Sequence, residues 1–327
     1  MVNSVNDERL KSLAQNLDAI LLKARADNTL SKYQSYFNKW LSWSSNFDEV
    51  DSFPAQTIHV ALFLVGNIQA GESYSVIESC FYSIKHYHNI AMQLDPTFSN
   101  LISYIMDAAK RICHRPKKKK QPITAIHIKQ IYELISRRGF SLLHQRNFTM
   151  MVLCFTGFLR YDEVSNLIFS DIVFDSKYMK VFIEKSKTDQ FRDGAWVFIA
   201  KIDSTICPVK TLQDYINTAG LSGDDYLFRA TTFFKSKNIH VLRKKNKPLS
   251  YSTARTAVLS YLKDIGVDQK LFGLHSLRRG GATAAANKGV NDRLFQKHGR
   301  WKSTNAKNGY VDEDLENLLS VSLGLGL

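Results

Sequence analysis

His275-Ser276-Leu277-Arg278-Arg279-Gly280-Gly281-Ala282-Thr283-Ala284-Ala285-Ala286 lies in the last quarter of the chain, and its reading together with its neighbours decides the fold. His275 and Arg278 are three residues apart, so at a helix start both project to one face. The small residues behind them let another element pack closely against that helix. They are not a phosphate loop, because the Gly-x-x-x-x-Gly-Lys pattern is absent. Gly299-Arg300-Trp301 follows, and Tyr310 comes nine residues after the tryptophan. Upstream, Thr156-Gly157-Phe158-Leu159-Arg160-Tyr161-Asp162-Glu163 adds a second arginine and a nearby carboxylate. Attack on a phosphodiester requires a nucleophile, charge stabilisation on the phosphate oxygens and a proton for the leaving group. A phenol, two guanidiniums, an imidazole and an indole supply those parts without a metal.

Length and charge agree with that chemistry. A chain of 327 residues suggests two domains, each able to bury a core. Lys and Arg number 44 against 30 acids, a net charge of +14 that favours a polyanionic partner. Cys80, Cys113, Cys154 and Cys207 are too scattered for a zinc site and read as reduced structural thiols. The apolar runs Val60 to Val65 and Met150 to Leu159 are far short of the ~18 residues of a membrane span. No signal peptide opens the chain, so an intracellular protein is expected.

Helical spacing recurs through the first third: Leu10, Leu13, Leu17, Ile20 and Leu21; Leu30, Tyr33, Phe37, Trp40 and Leu41; Tyr74, Ile77, Phe81, Ile84 and Tyr87. Ser75-Val76-Ile77-Glu78 fits a capping box, and another helix is expected around Leu101 to Ile112. The resulting helical domain spans 1–114. A basic linker over 115–122 follows, with two prolines and the lysines Lys117, Lys118, Lys119 and Lys120. The second domain, 123–327, begins with a helix that Thr124 can cap, then a buried helix through Phe148 to Phe158. Next the period changes to two, and Met179, Val181 and Ile183, with a return through Ala195 to Ile199, predict a small hairpin or three-stranded sheet beginning near Ile168. Helices resume after Pro208, from Tyr251 to Leu262 and from Ser276 onward. The fold class is mainly α with a small antiparallel β-sheet.

In this order and spacing, Arg160, His275, Arg278, Trp301 and Tyr310 resemble the catalytic set of the tyrosine recombinases, also called the phage integrase family. The layout of the whole chain fits that family, although the specific motifs lie between Arg160 and Tyr310. The resemblance implies a helical N-terminal DNA-binding domain followed by a catalytic domain, with a linker that helps both close around a duplex. It implies that Tyr310 attacks the phosphodiester while Arg160 and Arg278 clamp its oxygens, a task suited to the planar, permanently charged guanidinium. An ordinary phenol titrates near about 10, so the neighbouring cations and a base must assist it. His275 is the candidate to move that proton, since imidazole titrates near about 6.5. Spacing favours Trp301 over His298 for the indole or imidazole position that contacts phosphate, leaving His298 structural or in contact with DNA. The family carries its leaving-group acid on a mobile hairpin, where Lys185 and Lys187 both qualify and Lys187 matches better. Glu163 is expected to hold the Arg160 fork.

Two departures from the family stand out: Arg279-Gly280 where many members have His-Thr, and His298-Gly299-Arg300-Trp301 in place of Leu-Gly-His. The Gly-Arg-Trp-Lys-Ser run and the lysine-rich linker are most similar to recombinases of eukaryotic mobile elements. That origin would place the protein in the nucleus, and any other in the cytoplasm. Lys117 to Lys120 are expected to contact DNA or to signal nuclear import. Lys235, Lys237, Arg243, Lys244, Lys245 and Lys247 form a second acid-free basic segment, expected in a loop and suited to phosphate contact. The apolar tail from Leu315 to Leu327 packs either on its own domain or on a neighbouring protomer. The reading is a cofactor-independent site-specific recombinase that cleaves DNA through a 3′-phosphotyrosyl link, as a homotetramer on two double-stranded sites and with no membrane partner. A type IB topoisomerase and a catalytically silent DNA-binding protein of the same fold are the alternatives.

Overall fold

The structure is a computed structural model that describes residues 7–116, 118–186, 193–313 and 315–325. Two compact units divide the chain, Met1–Lys118 and Lys119–Leu327.

The first unit contains α1 (Glu8–Leu22), α2 (Asp27–Ser44), α3 (Thr57–Gln69), α4 (Tyr74–Ile90) and α5 (Asn100–Ile112). Helix α2 packs on α4 and α3 on α5. Between them Trp40, Leu64, Ile77, Ile84 and Ile102 are fully buried. The Trp40 indole N–H would be costly to bury unpaired, and it donates to the Ser52 carbonyl at 2.8 Å. Leu10, Leu13, Leu17 and Ile20 lie on α1, but all four are exposed and stand outside this core. Helix α4 begins at Tyr74 behind Ser73, so Ser75 occupies its first turn and forms no capping box. Two serines so close together in sequence leave the local pattern ambiguous.

In the second unit Thr124 caps α6 (Ala125–Arg138), accepting from the His127 N–H. Next come α7 (Leu142–Thr156) and the short α8 (Tyr161–Ser165). Residues Arg146 to Cys154 of α7 are all buried, including its polar positions, so this helix is the central post of the unit. Strands β1 (Ile172–Phe174), β2 (Tyr178–Ile183) and β3 (Ala195–Ala200) form an antiparallel sheet in that order. Met179, Val181 and Ile183 face the core, as the alternation requires.

Helix α9 (Pro208–Ala219) packs on α7. The basic residues expected in a loop do lie outside strands, but they flank and cap a hairpin that the sequence did not reveal, β4 (Thr231–Phe234) with β5 (Ile239–Leu242). Lys235 and Lys237 lie in its turn and Arg243, Lys244 and Lys245 follow its second strand. Thr-Thr-Phe-Phe and Ile-His-Val-Leu are β-forming runs; the intervening charges obscure them in the sequence. The chain continues through α10 (Tyr251–Asp264), α11 (His275–Ala286), α12 (Asp292–Gly299), α13 (Thr304–Asn308) and α14 (Leu315–Leu323).

Helix α11 lies against α7, and its glycines make this possible. A Cβ on Gly280 would fall 1.7 Å from the Ile123 carbonyl oxygen, and one on Gly281 would fall 1.9 Å from that of Phe155. The helices carrying the two arginine motifs are therefore held at backbone contact. Among the described residues, no helix is long and apolar enough to cross a membrane.

Candidate active site

Arg160 owes its position to a sharp exit from α7. Gly157 N–H donates to the Leu153 carbonyl, and Phe158 adopts a left-handed conformation with φ of 47°. This turn sets Arg160 at the N-terminus of α8, where Glu163 reaches back to accept its backbone N–H at 2.9 Å. The same carboxylate accepts from Arg160 Nη1 at 2.7 Å. Phe158 packs beside Phe295, His298 and Trp301, forming a small second core with Ala282.

Arg278 lies one turn into α11 and has no exposed surface. Its Nη1 donates to the Phe158 carbonyl, its Nη2 to that of Gly299 at 2.6 Å, and Glu163 Oε2 is 3.7 Å from Nη1. The guanidinium carbon sits 4.9 Å from the Trp301 ring centre and 4.8 Å from that of Tyr310, so two adjacent rings share one cation–π contact. His275 occupies the exposed start of the same helix.

Helix α12 ends at Gly299, where any side chain would strike the Trp301 ring, with Cβ only 1.9 Å from its nearest atom. Trp301 is buried, and Tyr310, half-buried just after α13, packs beside it in a tilted arrangement with ring centres 5.5 Å apart. The nucleophile candidate is tied down by α11: the Thr283 hydroxyl donates to the Tyr310 carbonyl at 3.3 Å and accepts the Asp312 N–H at 3.1 Å. Arg279 grips the Asp312 carboxylate through Nε and Nη2.

Electrostatics sharpen this arrangement. Burial alone would lower the Arg160 pKa, but Glu163 and the Tyr310 hydroxyl outweigh it and hold the guanidinium above its ordinary value. Burial and then the Arg160 charge push Arg278 down to about 10, with Glu163 opposing them. Arg278 still carries its charge at neutral pH, yet gains by acquiring an anion. Burial also opposes the Glu163 charge, but Arg300 and Arg160 keep that carboxyl below its usual range. Arg278 Nε and Trp301 Nε1 are buried donors without an acceptor in the protein, which fits them to an oxygen-rich anion. The site is a cluster of oriented cations beside a phenol.

Arg160, Glu163, Arg278, Trp301 and Tyr310 thus converge, although nearly 150 residues separate the first from the last. His298 is half-buried beside them: its Nε2 donates to the Thr156 carbonyl at 2.9 Å, and desolvation lowers its pKa below the usual imidazole value. Lys187 and Lys117 fall outside the described residues. Lys185 is exposed just beyond β2, as are Lys118, Lys119, Arg243, Lys244 and Lys245 on their own segments. The Lys120 ammonium donates to the Lys270 carbonyl, while its own carbonyl accepts from Arg279 at 3.1 Å. Among the described residues, no three His, Cys, Asp or Glu side chains converge in a way that could hold a metal ion.

Motif reading assigned no role to Arg300, Arg279, Thr283 or Asp312. Arg300 Nη2 donates to Glu163 Oε2 at 2.7 Å, making it the third guanidinium around that carboxylate. In a chain with 44 basic residues a buried arginine looks like a surface one; the only signal was that Arg300 and Arg279 stand where the family pattern differs.

Comparison with known proteins agrees with the geometry. The family model described as "Phage integrase family" matches residues 121–316, more than half of the chain. An "Integrase/recombinase xerD homolog" of Selenomonas ruminantium is 25% identical over 312 residues, covering 94% of this chain and 87% of the relative. A "Tyrosine recombinase" of Pseudothermotoga lettingae is 28% identical over 178 residues, 54% of this chain and 53% of that protein. Among solved structures, XerH recombinase bound to its palindromic difH substrate after cleavage superposes with a TM-score of 0.63 at 17% identity, over 95% of this chain and 84% of that one. A lambda integrase tetramer bound to a Holliday junction gives 0.59 at 18% identity, over 93% and 77%. At these identities the structural matches establish the fold, a mainly helical architecture with a small antiparallel sheet. The family model, which spans more than half of the chain, shows that the chain belongs to the phage integrase family, the tyrosine recombinases.

Proposed function

We propose that this tyrosine recombinase breaks and rejoins DNA at specific sites through Tyr310. Its phenolic oxygen attacks the phosphorus, the P–O5′ bond breaks, and a 3′-phosphotyrosyl link forms. Arg160 and Arg278 neutralise the charge on the phosphate oxygens, and the Trp301 indole N–H donates to one of them. His275 receives the phenol proton, and Lys187 or Lys185 protonates the departing 5′-oxygen. The 5′-hydroxyl of a partner strand then displaces the tyrosine, and the proton transfers reverse. The energy of the first ester is retained in the second, so the reaction needs no nucleotide cofactor.

The observation that carries this reading is that the Tyr310 and Trp301 rings both pack on the buried Arg278 guanidinium, whose Nε has no protein acceptor. The double-stranded substrate would be gripped by Lys117 to Lys120 and by Arg243, Lys244 and Lys245. Leu249 supports the second group: its carbonyl accepts from Tyr161, the residue after Arg160, so the basic run leads directly to the site. The first unit, through its helices, reads the bases.

Strand exchange needs two sites and four active centres, and α14 supports a homotetramer. Leu315, Leu318, Leu319, Val321 and Leu323 are all exposed on it. The second unit also has an apolar groove of about 450 Å³, lined by Phe198, Ile202, Val290, Leu294 and Phe295, which suits the α14 of a second copy. The protein works wherever its DNA is, in a nucleus or in the cytoplasm.

The test is incubation with a nicked duplex carrying its recombination site. Wild type should give a denaturant-resistant adduct and Tyr310→Phe none. An adduct that persists in the variant removes Tyr310 from its role. Relaxation of supercoils with no exchange between two marked duplexes would assign the chemistry to a topoisomerase.

A further inference from the structure

The left-handed backbone at Arg300, φ 55° and ψ 38°, is a conformation that residues with a side chain rarely adopt at a helix end, where glycine is usual. Such strain persists when the surroundings demand it, and it gathers at functional sites. Here the side chain repays it. Its fork donates to Glu163 Oε2 at 2.7 Å and to the carbonyls of His298, Phe158 and Gly157 at 3.1, 3.2 and 3.3 Å. Only 9% of the side chain is exposed, so it is no surface charge.

Glu163 is the one carboxylate among the described residues that pairs with any of the three central arginines. Its two oxygens are taken at 2.7 Å by Arg160 and by Arg300, leaving Arg278 at 3.7 Å. We propose that Arg300 is a positioning residue that occupies Glu163 Oε2 and thereby keeps Arg278 free for the scissile phosphate. This rests on the reading that Arg278 clamps that phosphate. Without Arg300, Glu163 Oε2 keeps only the Arg160 backbone N–H at 2.9 Å, and a buried charge that has lost an ion-pair partner draws in the nearest free cation. That cation is Arg278, which would close 3.7 Å to the 2.7 Å of an ion pair and turn away from the substrate. Burial and the neighbouring guanidinium charges disfavour the cations of both Arg278 and Arg300 and lower their pKa, and the Glu163 carboxylate is what offsets that cost.

The experiment compares Arg300→Gly, Arg300→Lys, Glu163→Gln and the Arg300→Gly/Glu163→Gln double variant in the full-length protein. Glycine relieves the left-handed backbone and protects folding, and lysine retains a charge without the fork. Melting temperature, duplex affinity and the rate of covalent adduct formation on nicked DNA are read for each. We expect Arg300→Gly to bind DNA as wild type does but to form adduct about 100-fold more slowly, with Arg300→Lys intermediate. The double variant should be no slower than the slower single one, because without the carboxylate nothing diverts Arg278. Wild-type cleavage by Arg300→Gly, or losses in the double variant that multiply, would overturn the proposal. A wild-type protein that forms no adduct refutes the underlying chemistry instead, and this inference with it.

Discussion

Replacing Asp312 by Ala should uncouple Tyr310, the proposed nucleophile, from α11, which carries the proposed phosphate clamp Arg278. Asp312 lies two residues beyond Tyr310, and its carboxylate receives two donors from Arg279, which in turn holds the Lys120 carbonyl. Thr283 and Asn287 complete the attachment, so residues 279, 283 and 287 form one stripe along α11. The magnitude follows from exposure. A buried pair broken on one side costs about 3–5 kcal/mol, a surface pair about 0–1. Arg279 is 11% exposed and Asp312 41%, so this bidentate pair lies between those limits, at about 1–2 kcal/mol. Since about 1.4 kcal/mol is a factor of ten, the equilibrium between docked and undocked Tyr310 should shift by about five- to thirtyfold. Single-turnover adduct formation on nicked duplex, at saturating protein, measures the docked fraction directly. Asp312→Ala and Arg279→Ala should slow it by similar factors with unchanged DNA affinity, and Asp312→Asn, which keeps an acceptor, should be milder. An unchanged or faster rate would refute the reasoning, because it would mean that the docked tyrosine is not the reacting one.

Gly281→Ala should destabilise the catalytic unit by about 3 kcal/mol or more, since its Cβ meets the Phe155 backbone at 1.9 Å and the two helices must part. Gly66→Ala, in α3 with open space around it, should instead raise stability by about 0.5–1 kcal/mol, and urea unfolding of both variants checks the contrast. Glu163 has a lowered folded pKa, so its contribution to stability is complete above the ordinary carboxylate value of about 4.3 and is lost as pH falls through the folded value. The gap in melting temperature between wild type and Glu163→Gln should therefore hold from pH 7 to about 5 and shrink in stronger acid. A gap that stayed constant to pH 3 would mean that Glu163 does not titrate in this way.

Much of the fold was legible because its signals are local. Helical spacing marked α2 and α4 and an apolar run marked α7, while strict alternation at Met179, Val181 and Ile183 marked β2. The hairpin β4–β5 escaped because its lysines and arginines dominate the composition of the segment. Helix α1 carries the same apolar periodicity as α2 yet leaves its leucines exposed. Periodicity reports that a face can be buried and says nothing of what covers it.

By itself the sequence determined the inventory: which chemical groups are present, in what order, and on what kind of element. Trp301 and Tyr310 are close enough in the chain for spacing to pair them, and Arg160 and Glu163 sit within one helical turn. Only the tertiary structure decided that Arg300 completes the ring of cations on Glu163, and that Arg279 and Thr283 hold the tyrosine segment. Those partners are separated by 137 residues for Arg300 and Glu163 and by 33 for Arg279 and Asp312. No local rule relates such distant positions. An arginine has the same propensities whether it ends in water or beneath a tyrosine, and the difference arises when glycine-mediated contact between α7 and α11 closes the space around it.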